Sequence, residues 1–214
     1  MRKTYIKVLT GLLFATLFLF GGCNENTSVK TINHQSNNVV KKDKVKKQIP
    51  QVSNTIPTVS LDGVFKDTAL VTPKGKYMIL IFETANGPYC KKLRLDIHNN
   101  KKLYNELENQ FSTYSLNALK NKRHKIEHEG KIMDVDTKTL IDIYNVTSVP
   151  TLIFTDKSGK SIFIVPGYMP AKQFLVTLDF VKSGLWLGKN RKNTDVYKAL
   201  KKFYIKKGII KDKK

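Results

Sequence analysis

Tyr77-Met78-Ile79-Leu80-Ile81-Phe82-Glu83-Thr84-Ala85-Asn86-Gly87-Pro88-Tyr89-Cys90-Lys91-Lys92-Leu93 is the stretch whose reading decides the fold. Residues 77–83 are a near-continuous apolar run of strand length, the pattern of a central strand buried on both faces. A short polar turn, Thr84 to Gly87, follows. Pro88 stands where a helix takes its first residue, because its missing N–H costs nothing there and its fixed φ suits the helix. Leu93 and Ile97 continue a helical face, and Leu103 and Leu107 resume it after a break expected near Asn99-Asn100. Cys90 therefore lies one turn inside a helix whose opening residue is preceded by Gly87.

Beyond this stretch the elements alternate. Phe111 to Asn117 alternates apolar and polar residues and predicts a strand. Residues 118–136 are polar and charged and predict a loop or hairpin insertion. Thr137 to Asn145 carries Leu140, Ile141 and Tyr144 at helical spacing. Val149 to Phe154 starts a strand, Lys157-Ser158-Gly159-Lys160 is a turn, and Ser161 to Val165 returns as the second strand of a hairpin. Pro170 opens a helix with the stripe Phe174, Leu178 and Val181, which Gly184 ends.

The ends of the chain have a different character. Arg2, Lys3 and Lys7 precede an uncharged, mostly apolar run from Val8 to Phe20, and Gly21-Gly22-Cys23 follows. This is the layout of an export signal, and the run is shorter than the roughly 18 to 20 residues that a membrane-spanning helix needs. A cysteine after two glycines is similar to a bacterial lipoprotein lipobox, although Phe20 stands where that motif usually has Leu. The resemblance implies lipidation of Cys23, a signal at 1–22 and a domain facing the periplasm of a bacterial cell envelope. The alternative is an ordinary signal peptide with an incidental cysteine.

Residues 23–57 are rich in Asn, Ser, Thr, Gln and Lys and predict a disordered tether. A coil of that length reaches on the order of 30 Å. Of the two cysteines in 214 residues, lipidation of Cys23 leaves Cys90 as one odd thiol in an oxidising compartment.

The net charge of +21 falls to +18 once the signal removes three of the 38 basic residues and none of the 17 acidic ones. Such a balance suits an anionic membrane surface or acidic partners. Nucleic acid is set aside, because an exported chain rarely meets it. Residues 185–214 hold eleven Lys or Arg against two Asp, and 194–207 predicts a helix with Val196, Leu200 and Phe203 on one side and lysines on the rest. That helix either touches anionic lipid or packs its apolar side on the domain with a solvated basic face.

Three segments give residues 58–184, about three-fifths of the chain, a resemblance to thioredoxin-like proteins, among them thioredoxin-related envelope lipoproteins. Gly87-Pro88-Tyr89-Cys90 is similar to the family's Cys-Pro-Tyr-Cys after an apolar strand. Ser148-Val149-Pro150-Thr151 resembles its cis-proline segment. Asp156 to Lys160, leading to Pro166-Gly167-Tyr168, resembles its hairpin and following glycine.

The resemblance implies an α/β fold with a mixed central sheet flanked by helices, and a thiol–disulfide chemistry without a cofactor. The first cysteine attacks as a thiolate stabilised by the helix N-terminus, and the second resolves the mixed disulfide. Gly87 occupies the attacking position here, and Cys90 is the resolving one. Ile81 stands where the family has a buried acid, and Glu83 is the nearest substitute as a proton acceptor. Val149 and Pro150 would present backbone for pairing with an extended peptide.

Two roles remain for Cys90: a thiol that forms mixed disulfides alone, with an envelope protein or a small thiol as partner, or a small core hydrophobe in a redox-silent binding module. A third constellation, His124-Lys125-Ile126-Glu127-His128, has a spacing some zinc sites use, with Glu129 or Asp134 as the nearest further ligands. No helical stripe supports it, a solvated insertion is the competing reading, and no metal is assigned. His98 and His34 read as surface residues.

Overall fold

The apolar run 77–83 is sorted by strand alternation onto two cores. Ile79 and Ile81 face one cluster, and Met78, Leu80 and Phe82 face the other, all five fully buried. Burying each such side chain contributes roughly 1.5–3 kcal/mol, so this strand alone anchors the domain.

The computed structural model describes residues 59–211. Their elements run β1 (Phe65–Lys66), β2 (Leu70–Val71), β3 (Tyr77–Glu83), α1 (Pro88–Asn99), α2 (Lys101–Gln110), β4 (Phe111–Asn117), β5 (Arg123–His128), β6 (Lys131–Asp136), α3 (Thr137–Ile143), β7 (Thr151–Thr155), β8 (Ser161–Pro166), α4 (Ala171–Ser183) and α5 (Asp195–Lys206). The main sheet has the order β1-β4-β3-β7-β8, with β3 parallel to β4 and antiparallel to β7. A second sheet, β2-β5-β6, is built around the 118–136 insertion, which is a hairpin.

One face of the main sheet is covered by α1, α2, α4 and α5, and the other by α3 and the small sheet. The break between α1 and α2 falls at Asn100, whose side chain accepts the N–H of Leu103 at 3.0 Å and so caps the second helix. Gly184 ends α4 at a φ of +70°, a conformation that glycine adopts without strain.

Sequence and structure differ in detail at three places. β7 starts at Thr151 rather than Val149, because Pro150 has no N–H to give the ladder; the Val149–Pro150 bond is cis. On α5 the buried stripe is Val196, Leu200 and Tyr204; Phe203 is only partly buried. The Tyr204 hydroxyl reaches Thr177 Oγ1 of α4 at 2.6 Å, which draws that side of the helix inward. The strands β1 and β2, two residues each, are too short to carry a strand pattern of their own. Among the described residues no helix is long and apolar enough to cross a membrane. Cys23, His34 and the segments 1–22 and 23–57 lie outside the described residues.

Candidate functional site

The turn after β3 delivers its residues at the start of α1. Gly87 is the N-cap, with φ −65° and ψ 124°, Pro88 is the first helical residue, and Gly87 O accepts the N–H of Lys91 at 2.9 Å. That backbone lies in a region open to any residue, so the glycine is not needed for its conformation.

A Cβ built at Gly87 would lie 3.0 Å from Cys90 Sγ and 2.8 Å from Thr84 Oγ1. The first distance is about the 3 Å that separates a Cβ from the far sulfur in a disulfide. The second is closer than a Cβ normally approaches, so Thr84 has to shift to admit a side chain at 87.

Cys90 itself is 1% exposed, and its Sγ accepts the Thr84 N–H at 3.5 Å. Tyr89, beside it in sequence, is 61% exposed. Its ring stacks on Tyr168 with centroids 6.2 Å apart, and Lys92 Nζ sits 4.8 Å over the Tyr168 ring. The Tyr168 hydroxyl donates to Asp96 of α1; burial, and then this bond, push its pKa above the ordinary tyrosine range. Pro150 is buried, and its carbonyl accepts the N–H of Gly167 at 2.7 Å, which joins the proline segment to the glycine before Tyr168. The last β3–β7 pair is Phe82 with Thr151, so Pro150 stands at the level where β3 gives way to the turn.

Glu83 does not serve as a free proton acceptor. It is buried, Arg94 Nε donates to its Oε2 at 3.0 Å, and Arg94 Nη2 and Ser115 Oγ both donate to its Oε1. Its carboxylate is committed to tying the end of β3 to α1 and β4. Sequence spacing held no signal for this pair, whose members are eleven residues apart on different elements.

The histidines also correct the sequence reading. Residues 123–128 are a strand, so His124 and His128 share no helix face, and His124 is not solvated but 3% exposed. Its Nδ1 donates to Thr68 O at 2.7 Å, and its Nε2 lies 2.8 Å from Thr137 Oγ1. With both nitrogens engaged, it fastens the hairpin to the residue-68 loop and to the start of α3. Glu129 pairs instead with Lys160, and Asp134 with Arg123. No group of three His, Cys, Asp or Glu suited to a metal occurs among the described residues. His98 is exposed.

This arrangement holds a single sheltered thiol under an exposed aromatic and cationic rim, beside a cis-proline segment. Gly87, the N-cap of α1, carries no sulfur, so Cys90 is the one thiol at this turn. The comparisons give the class. Residues 64–182 match the thioredoxin-like domain model, and the chain belongs to that family.

A thioredoxin-fold protein from Helicobacter pylori is 34% identical over 70% of this chain and 94% of its own, with a TM-score of 0.64. A thioredoxin from Thermus thermophilus is 18% identical over 60% of this chain and 95% of its own, with a TM-score of 0.40. The pneumococcal exposed lipoprotein thioredoxin from Streptococcus pneumoniae is 24% identical over 50% of this chain and 85% of its own, with a TM-score of 0.35. No curated protein matches the chain.

Proposed function

We propose that this chain is a docking module in thiol–disulfide traffic at the bacterial cell envelope. It keeps the surface on which a thioredoxin-like protein holds an extended, cysteine-bearing segment, at Pro88, Tyr89, Val149 and Pro150, and it lacks the thiol that attacks. The observation that carries this reading is Cys90 at 1% exposure, behind a turn whose attacking position is Gly87. Site-resolved alkylation of Cys90 tests it. In the native protein Cys90 stays unmodified over a time that labels the denatured control completely, and rapid native labelling overturns the docking-only reading.

The second reading is favoured by the Thr84 N–H bond to Sγ, a contact that would also stabilise a thiolate. Cys90 would then attack a partner disulfide, one new S–S bond forming as the partner's own breaks and releases its second sulfur as a thiolate. A protein or small-thiol partner would have to resolve the product, and the 84–87 turn would have to open first.

The anchor belongs to the same proposal. Support comes from the short apolar run that ends in Gly21-Gly22-Cys23, with residues 24–57 as the leash. The exposed Lys198, Lys201, Lys202 and Lys206 of α5 would face anionic lipid head groups. Partition of the full chain into membranes, lost in Cys23→Ser, checks the anchor; a wild-type chain that stays soluble contradicts it.

A further inference from the structure

Gly184-Leu185-Trp186-Leu187-Gly188-Lys189 follows α4 and sets three large apolar residues between two glycines. Both glycines stand at a φ of +70°, and the Leu187 N–H donates to the Gly184 carbonyl at 2.8 Å, so the segment is a closed turn. Its middle residue is turned inward. Trp186 is 3% exposed, its Nε1 donates to the Val181 carbonyl at 2.8 Å, and its ring meets Tyr77 edge-on and lies 4.6 Å from the Arg191 guanidinium. Its two neighbours are left outside, Leu185 at 51% exposure and Leu187 at 64%. A tryptophan held from several sides thus fixes a turn that offers a pair of leucines to whatever covers it.

Cations stand beside the leucines. Between Lys182 and Lys206 the chain has eight Lys or Arg and one acid, Asp195. Gly188 and Lys189 of the turn share one depression with Asp195, Lys198 and Lys202 of α5, so the basic face of that helix adjoins the turn. Asp195 is paired with Lys198 at 3.7 Å, and Arg191 with Asp156 at 2.7 Å. Lys189, Lys192, Lys201 and Lys202 are exposed and have no ion pair among the described residues.

Exposed leucines ringed by free ammonium groups match the boundary of an anionic bilayer, which takes apolar side chains at the acyl edge and cations at the phosphates. A second copy fits the patch less well. It would set this field of lysines against itself, and two leucines fall far short of the roughly 800 Å² that each partner of a stable dimer buries.

We propose that the Leu185–Leu187 turn enters the head-group region of an anionic bilayer, with Lys189, Lys192 and Lys202 against lipid phosphates, and so sets which side of the domain faces the membrane. This rests on the lipid anchor proposed above, because a leash that reaches on the order of 30 Å keeps the domain at the surface, where so small a contact is enough.

The test places a tryptophan in the turn and another across the main sheet. Leu187→Trp, and Ile143→Trp on α3 as the control, are made in the full lipidated chain and reconstituted in vesicles with brominated acyl chains and about one-third phosphatidylglycerol. All substituted positions are exposed, and unchanged thermal melts establish that the variants fold. Bromine quenches the Leu187→Trp chain at least about twofold more than the wild type and leaves Ile143→Trp at the wild-type level. The excess disappears when Lys189→Glu and Lys202→Glu are added, and when phosphatidylcholine replaces phosphatidylglycerol. Partition of the chain reads the anchor, and quenching reads the turn. A chain that sits in the vesicles without excess quenching at 187, with equal quenching at 143, or with quenching indifferent to lipid charge overturns the proposal and leaves the anchor standing. A chain that does not partition refutes the anchor and this proposal with it. Self-association that Leu187→Asp abolishes, with no quenching, assigns the leucines to a second copy and also overturns it.

Discussion

The turn that ends β3 and the hairpin β5–β6 put the same kinds of residue to opposite uses from those their chemistry invites. At the turn, Cys90 has covalent chemistry and is buried, while Tyr89 and Lys92 are exposed. In the hairpin, His124 is the residue that proton transfer or a metal would need, yet it is buried with both nitrogens bonded, while Met133 is exposed. In both regions the reactive type of side chain is buried, and contact-making side chains are left at the surface. Residue type nominates a role; burial and partners decide it.

Two substitutions and one titration bear on this contrast. The largest effect belongs to the turn. Glu83→Ala leaves Arg94 beside a vacated site with its guanidinium only partly exposed, and costs about 2–4 kcal/mol in urea unfolding. His124→Ala releases the hairpin from Thr68 and Thr137 and costs about 1–3 kcal/mol, with hydrogen exchange in β5 and β6 rising more than in β3. If the order of these two losses is reversed, the hairpin, not the turn, is the better anchored region.

The smallest effect lies where the hairpin passes into α3. Asp136 caps α3 by accepting the Thr139 N–H at 2.7 Å, and that bond holds its pKa down to about 2 from 3.8. A depressed carboxylate stabilises the folded state above its unfolded value, so the cap is complete above about pH 4 and is lost as pH falls through about 2. Exchange at the Thr139 amide, corrected for its intrinsic pH dependence, speeds up across that window and is flat in Asp136→Asn.

Much of the frame was legible because it rests on local pattern. β3 and β4 carry continuous or alternating apolar residues, and their bounds at 77–83 and 111–117 follow from that pattern. The break at Asn100 and the stop at Gly184 are local signals as well. What stayed hidden is non-local. β1 and β2 are two residues each and exist only because β4 and β5 pair with them. The Glu83–Arg94–Ser115 network spans three elements, and the burial of His124 depends on Thr68, 56 residues away. The Tyr89–Tyr168 stack joins a helix start to a loop 79 residues on, and no spacing announces it.

In the proposed function the 87–90 turn is a thioredoxin-type site with its attacking sulfur missing. Gly87→Cys tests it most directly. The backbone at 87 accepts a side chain, and the added Cβ stands 3.0 Å from Cys90 Sγ, so the two sulfurs come within bonding range once Thr84 Oγ1 moves aside. Mild oxidation by a disulfide such as oxidised glutathione, which takes up the two electrons, is expected to close an 87–90 disulfide, read as a loss of two hydrogens by mass spectrometry. The reduced variant is also expected to reduce insulin at least about tenfold faster than the wild type, because the new thiol gains the amides and dipole of the α1 N-terminus. A folded Gly87→Cys protein that keeps both thiols free and leaves insulin untouched would contradict the account and reduce Cys90 to a residue of the core.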